Sequence, residues 1–360
     1  MLKIVRNLLF RLDERRYEKE ALKKAVLSYP PRQVTIAISS ACGNRCLFCG
    51  FHSEDAKDGR SNVSGLAYSL GLEDFKRMVD MCWKGRVPRV HICSTGEPFL
   101  HKNILEMIDY VIAVYGKVSF QTNMDRRILD KGGYLEKIIE RKDGISQITT
   151  DILSGDPETH NMLKRGSDLE ATLGVMEYIS RRAEISIEAH LILMKQNYKG
   201  IDRLLDELIR RKIGCHLAIV NLHSYGFNSW TSPDMRYKSG DTEITDVLKA
   251  AQAKGKQHGI AVTIPVPSDR PTGICGLFWT RFQTWPVKGI DKDRYAENII
   301  PGGCNAVVNG GLNTLGYFFD YDNILDLWNN EYFVRHRANL LKGVYPDEEC
   351  KACQAYIKKD

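Results

Sequence analysis

Short apolar or alternating runs recur along the first two-thirds of the chain, separated by stretches with helical periodicity. The runs at 34–39, 89–93, 117–122, 147–152, 185–193 and 216–223 predict strands. The stretches at 72–83, 103–115, 134–141, 168–182, 201–212 and 243–257 predict helices, with Gly116 and Gly214 where C-caps are expected. Six strand–helix repeats imply a parallel sheet. The polar residues inside the strands refine this. Ser119, Gln121 and Asn123 share one parity, as do Gln147, Thr149 and Asp151, then Ser186, Glu188 and His190, then His91, Cys93 and Thr95; the intervening residues are mostly apolar. Side chains alternate between the two faces of a strand, so one face is apolar and the other polar. A flat sheet covered on both sides needs both faces apolar. A sheet curled around a polar, ligand-filled lumen fits better. The expected fold is α/β, a partial (βα)6 barrel with its chemistry at the C-terminal ends of the strands.

The repeat fades after residue 225. Residues 1–30 predict a basic amphipathic helix, read as packed on the outside of the barrel or on a membrane surface or partner. Residues 31–225 are the barrel, and 226–274 a connecting helix and short strand. Residues 275–360, with four cysteines and the turns GGC and NGG, are a small C-terminal domain.

Net charge is only +6, and no Lys/Arg block is interleaved with aromatics, which argues against nucleic acid. No apolar run is long enough for an integral membrane segment, and no secretion signal is recognisable at the N-terminus. Ten cysteines in such a chain point to metal or redox chemistry in the reducing cytoplasm rather than to disulfides.

The densest chemical signal is Cys42-Gly-Asn-Arg-Cys46-Leu-Phe48-Cys49, directly after the first strand. Three thiolates at this spacing suit three irons of a 4Fe–4S cubane, leaving the fourth iron open. Zinc bound with His52 as a fourth ligand is the alternative. Ser94-Thr95-Gly96-Glu97-Pro98 follows the second strand; Glu97 offers an acceptor for an ammonium group and Gly96 a close backbone approach. A second set, Cys275, Cys304, Cys350 and Cys353, has the ligand count of a closed cluster or of a zinc site.

These motifs together resemble the radical S-adenosylmethionine (SAM) superfamily. The Cys-x3-Cys-x2-Cys loop with Phe48 before its last cysteine is similar to the family signature, and Thr95-Gly96-Glu97-Pro98 to its GGEP motif, with Thr95 where glycine is usual. Gln121-Thr122-Asn123 resembles the family's TNG-like strand end. The stretch from Asp151 through His160 to Arg165-Gly166 resembles one common in the branch with C-terminal cluster domains, and Leu191 to Asn197 the segment flanking adenine. Leu315-Gly316 and Ile324–Trp328 resemble SPASM/twitch domains. The resemblance implies a radical SAM barrel with a twitch-type domain and two 4Fe–4S clusters. One is held by Cys42, Cys46 and Cys49, where SAM binds and is cleaved to a 5′-deoxyadenosyl radical. The other, auxiliary, cluster is held by Cys275, Cys304, Cys350 and Cys353. Phe48, Thr95, Gly96, Glu97, Asn123, Asp151, Arg165 and Leu191 are the implied SAM contacts, and a flavodoxin or ferredoxin-type protein the implied electron donor.

The expected activity is two-electron oxidation of a small-molecule substrate such as a sugar or cyclitol, as in twitch-type aminocyclitol dehydrogenases. Glu188, His190 and His223 are candidate bases on lumen strands, and Cys93 a candidate hydrogen-atom donor that would instead favour an epimerase. A carbon-skeleton or peptide-modifying enzyme and a zinc-bearing binding module are the remaining alternatives.

Overall fold

The computed structural model describes residues 2–54, 65–222, 228–269, 273–286, 291–295, 297–301, 314–346 and 350. The strands are β1 (Gln33–Ala37), β2 (Val90–Cys93), β3 (Val118–Gln121), β4 (Ile145–Asp151), β5 (Ser186–Leu193), β6 (His216–Asn221), β7 (Ala261–Thr263), β8 (Arg281–Thr284) and β9 (Ile299–Pro301). They form one sheet in the order β7-β6-β5-β4-β3-β2-β1-β8-β9. All pairs are parallel except β8 with β9.

The helices are α1 (Leu2–Glu20), α2 (Leu72–Lys84), α3 (Ile104–Tyr115), α4 (Arg126–Lys131), α5 (Tyr134–Glu140), α6 (Pro157–Leu163), α7 (Leu169–Arg182), α8 (Ile201–Arg210), α9 (Thr242–Gln257), α10 (Leu277–Thr280), α11 (Ile324–Trp328) and α12 (Glu331–Leu341). Short helices α4 and α6 have too few turns to show a period, but each has an aspartate N-cap: Asp125 accepts from the Arg127 N–H and Asp156 from the Thr159 N–H. Gly116 ends α3 in the left-handed conformation, at φ 77°. Gly214 does not play that part for α8; Lys212, at φ 57°, takes the left-handed turn instead.

The apolar parity of the strands packs on the helices. Ile36, Ile92, Phe120, Ile148 and Ile187 are fully or almost fully buried, together with Phe75, Met78, Val79 and Cys82 of α2 and Ile201, Leu204, Leu205 and Leu208 of α8. Each large side chain buried this way contributes on the order of 1.5–3 kcal/mol. The opposite parity turns inward. Thr35, His91, Ser119, Gln147 and Ser186 stand side by side in register, and so do Gln121, Thr149, Glu188 and His216.

The sheet is curled. β5 and β8 are five places apart in the strand order, which in a flat sheet would be about 24 Å. Yet Glu188 and His190 of β5 line one cavity of about 420 Å³ with Arg281 and Gln283 of β8. β8 closes the side of the curl next to β1, with Gln33 opposite Arg281 and Thr35 opposite Gln283. The strand lies within the segment read from sequence as the C-terminal domain.

Around β8 the core continues without a break. Arg337 of α12 is fully buried; its Nε donates to the Phe278 carbonyl at 2.6 Å, and its guanidinium lies 4.3 Å from the Trp328 ring centre. Helix α1 is tied on by its second half: buried Asp13 pairs with Arg86 at 2.8 Å, and Tyr17 meets the edge of Tyr29. Leu8, Leu9 and Leu12 remain exposed. Among the described residues no helix is long and apolar enough to cross a membrane.

Candidate functional site

The cysteine loop is anchored at the C-terminal ends of the strands by backbone hydrogen bonds from both sides. The Arg45 N–H donates to the Arg165 carbonyl (2.7 Å), the Leu47 N–H to Leu163 (2.9 Å) and the Glu97 N–H to Ala41 (2.7 Å). Buried Asn228 adds a fourth tie, its Nδ2 donating to the Leu47 carbonyl at 2.9 Å. Gly96 is packed against this loop: a Cβ there would lie 2.0 Å from the Ala41 carbonyl oxygen. Gly166, at φ +90°, lets the α6–α7 turn approach Gly43: a Cβ at residue 166 would lie 2.9 Å from the Gly43 carbonyl oxygen.

Within the loop, donors converge on the sulfurs. The Asn44 N–H lies 3.4 Å from Cys42 Sγ, and the Phe51 and His52 N–H groups lie 3.4 and 3.3 Å from Cys49 Sγ. Asn123 Nδ2 is 3.8 Å from Cys42 Sγ. Burial raises the pKa of all three thiols, that of Cys42 to about 11, and the nearby charge of Lys164 opposes this at Cys42 and Cys46. The Asn44 side chain is buried, and among the described residues neither of its polar atoms has a partner. Sulfurs ringed by N–H donors, a buried cation and an orphaned amide fit an iron–sulfur cluster, whose properties depend on hydrogen bonds to sulfur. His52 does not complete a zinc set through Nε2, which lies 3.1 Å from the Thr95 carbonyl oxygen. Among the described residues no three Cys, His, Asp or Glu side chains converge where a single metal ion would sit.

Glu97 is buried behind this loop and already occupied. Its carboxylate accepts from the Phe99 N–H (3.0 Å), Thr122 Oγ1 (2.9 Å) and the Asn123 N–H (2.5 Å). It therefore holds the Thr95–Pro98 turn against the end of β3.

Arg165 is half-exposed and its guanidinium faces Glu54 at 3.7 Å. The neighbouring Lys164 is the buried cation: its Nζ donates to the Asp151 carbonyl at 2.8 Å and reaches that of Asn123 at 3.5 Å. This lysine, buried against carbonyls within electrostatic reach of Cys42 and Cys46, is not distinguished from its arginine neighbour by sequence alone.

Leu191 has the outward parity and is buried in the main core with Ala189 and Leu193, so its side chain is not on the cavity. Ile192 has the inward parity. It packs with Phe48, Leu47, Leu153, Leu163, Met194 and Leu222 in a separate apolar cluster beside the cysteine loop.

Below the loop lies the polar cavity. Cys93, Ser94, Thr95 and Phe51 line it near the loop, with Gln121, Thr149, Glu188 and His190 along its wall. Trp285 of the β8 edge meets Phe51 at 5.0 Å between ring centres. His190 Nε2 is 2.6 Å from Glu188 Oε1, and its Nδ1 is 3.9 Å from Asp151 Oδ1. Gln147 Nε2 donates to the other Glu188 oxygen at 2.7 Å. The His190 hydrogen bond, above all, brings Glu188 down to about 2. Burial alone would lower His190, but the Glu188 hydrogen bond and the charges of Asp151 and Glu188 outweigh it, and its pKa is raised. His223, Cys304 and Cys353 lie outside the described residues. Cys275 and Cys350 are both partly buried against the main core, and Tyr345 Oη donates to the Gly273 carbonyl at 3.3 Å, joining their two segments.

Residues 36–208 match the model of the radical SAM superfamily. Among solved structures, SuiB from Streptococcus suis bound to S-adenosylmethionine is similar at 18% identity, covering 92% of this chain and 74% of its own, with a TM-score of 0.66. SuiB bound to its precursor peptide SuiA is similar at 16% identity, over 91% and 77%, with a TM-score of 0.66. The native anSMEcpe structure with bound AdoMet follows at 17%, over 89% and 86%, with a TM-score of 0.59. No curated protein matches this chain. At these identities the solved structures speak to the fold, and the family match to the sequence that carries it. Residues 36–208 are thus similar to radical SAM domains and lie on a mostly parallel α/β sheet.

Proposed function

We propose that this chain is a radical SAM oxidoreductase that removes two electrons from a small polar substrate, such as a sugar or cyclitol, held in the cavity. The observation that carries the reading is the cysteine loop, ringed by donors, set directly over a polar cavity that contains the coupled pair Glu188 and His190. A 4Fe–4S cluster at Cys42, Cys46 and Cys49 would supply, with SAM, a 5′-deoxyadenosyl radical that takes a hydrogen atom from the substrate. Lys164, buried beside the loop, suits the SAM carboxylate, and the apolar cluster around Phe48 and Ile192 suits adenine. His190 would accept the substrate proton, with Glu188 orienting the ring and stabilising the imidazolium. Cys275, Cys304, Cys350 and Cys353 would hold an auxiliary 4Fe–4S cluster that takes the second electron, and a flavodoxin or ferredoxin-type donor would reduce the first cluster in the cytoplasm.

The role of His190 predicts a pH dependence. Its unprotonated form is present only above its raised pKa, so the acid limb of substrate oxidation lies above the ordinary histidine value of about 6.5. Glu188→Gln removes the largest raising influence, and the limb should move to lower pH. A limb unmoved in the variant would take the base role away from His190.

The auxiliary cluster is tested with Cys350→Ala/Cys353→Ala. The double variant should fall from about eight irons per chain to about four, keep SAM cleavage and stop product formation. Cys93 favours a second reading: it lines the cavity, is almost fully buried, and burial pushes its thiol up to about 12, so it stays an S–H hydrogen-atom donor. Solvent deuterium in a product of unchanged oxidation state, lost in Cys93→Ala, would identify an epimerase instead.

A further inference from the structure

Helix α1 is packed by its polar side. Asp13 is buried and pairs with Arg86 at 2.8 Å. Tyr17 meets the edge of Tyr29 and lies 5.3 Å from the Arg32 guanidinium. Glu20 is buried and accepts from the Ser28 N–H at 2.8 Å. Asp13, Tyr17 and Glu20 follow one another at four and three residues, one stripe of a helix. Leu8, Leu12, Arg15 and Lys19 follow at four, three and four residues and form a second stripe, about 140° round the axis from the first. All four are exposed, Leu8 to 58%, and exposed Leu9 adds to the apolar end of the stripe. The leucines therefore face water, and the buried Asp13 carboxylate with its Arg86 partner fixes that rotation.

Along the axis this outward stripe changes from apolar to cationic. Three of the four carboxylates of α1 are engaged: Asp13 by Arg86, Glu14 by Arg32 and Glu20 by Lys24. Among the described residues Arg11, Arg15 and Lys19 form no ion pair, so three exposed cations stand against one carboxylate, Glu18. Up to Leu12 the sequence holds Lys3, Arg6 and Arg11 and no acidic residue. The middle of the Leu8–Leu12 turn and the middle of the Arg15–Lys19 turn are seven residues apart, about 10 Å along the helix. That span matches the depth from headgroup to acyl boundary in a bilayer. A surface that is apolar inside and negative at its rim complements both ends of the stripe. A second copy of this chain would meet the leucines but bring the same cations.

We propose that α1 docks this protein on an anionic lipid surface. Leu8, Leu9 and Leu12 enter the acyl boundary, and Arg11, Arg15 and Lys19 meet the headgroup phosphates. Three leucines bury too little area to hold the protein by themselves, so the contact is reversible and needs the cations as well. Glu14 and Tyr17 line one pocket with Gln33, which opens β1, and with Pro88 and Arg89, just before β2. Helix α1 therefore lies at the N-terminal ends of these strands, and the cysteine loop follows their other ends. Lipid bound to the outward stripe leaves that loop on the side away from the bilayer. The docking surface is independent of what the cavity binds.

Co-sedimentation with lipid vesicles tests this. The wild type should bind vesicles of phosphatidylcholine and phosphatidylglycerol in equal parts about tenfold or more tightly than phosphatidylcholine alone, and high salt should weaken the binding. Leu8→Gln/Leu12→Gln should abolish it. Arg15→Gln/Lys19→Gln should weaken it about tenfold. Tm should hold in both double variants, because the four side chains are exposed. Val344→Gln removes an apolar side chain that is 53% exposed elsewhere, and should bind as the wild type does. No binding to the mixed vesicles, equal binding to the neutral ones, or unchanged binding in the leucine variant would overturn the proposal. So would a dimer in solution that is lost in Leu8→Gln/Leu12→Gln while the wild type leaves the vesicles unbound; that result would identify a second copy as the occupant.

Discussion

Replacing Cys42, Cys46 and Cys49 together by alanine should leave about four irons per chain and abolish SAM cleavage entirely. These thiols share one short loop, and the surroundings of Cys42 and Cys49 are built for sulfur: backbone N–H groups of Asn44, Phe51 and His52 lie 3.3–3.4 Å from Sγ. Burial raises all three thiol pKa values, so a cationic partner is needed for thiolates to form there. The remaining iron would belong to the C-terminal cysteines, none of which is in this loop. Fold should persist, because the loop is held by its backbone through Arg45, Leu47 and Glu97 and not by the sulfurs. Full iron retention in the variant would show that these cysteines hold no cluster.

Gly96→Ala should lower Tm and impair cluster assembly, although residue 96 has no side chain to contribute. Its Cβ would stand 2.0 Å from the Ala41 oxygen, 2.5 Å from the Ala41 carbonyl carbon and 2.9 Å from Cys42 Cβ. Two of those atoms are backbone and cannot rotate away, so the turn after β2 and the cysteine loop must separate. Overpacking of this kind costs on the order of 3 kcal/mol. The displaced Ala41–Glu97 hydrogen bond adds to the loss. Gly214→Ala is the control: nothing lies within 4 Å of its Cβ position, and its φ is not positive, so stability should hold or rise slightly. Equal Tm values for the two variants would mean that the Gly96 contact is not structural.

The sequence carried the barrel because parity is local. Polar Gln121, Thr149, Glu188 and His190 and apolar Phe120, Ile148, Ile187 and Ala189 declare the two faces without any knowledge of partners. Strand β8 was illegible for the opposite reason. Four residues, Arg-Phe-Gln-Thr, carry almost no period, and their place beside β1 is fixed by contacts some 250 residues away, such as that from the Ala37 N–H to Thr284 Oγ1 at 2.9 Å. With β8 unseen, Arg281, Gln283 and Trp285 were missing from the lumen. In the motifs, residue type was read but direction was not. Arg165 and Lys164 are adjacent cations, and only the fold turns the lysine inward. The parity of Glu188 and His190 extends to Ile192, which faces inward, while Leu191 faces the core. Glu97 is legible as a carboxylate in a motif, whereas its three donors, from Phe99, Thr122 and Asn123, are not, because two of them come from the end of another strand.

A cluster held by Cys42, Cys46 and Cys49 would cleave SAM. Anaerobically purified protein, reduced and given SAM, should form 5′-deoxyadenosine and methionine while carrying iron and sulfide in equal amounts. Protein that carries zinc in place of iron, holds no sulfide and leaves SAM intact would contradict the account.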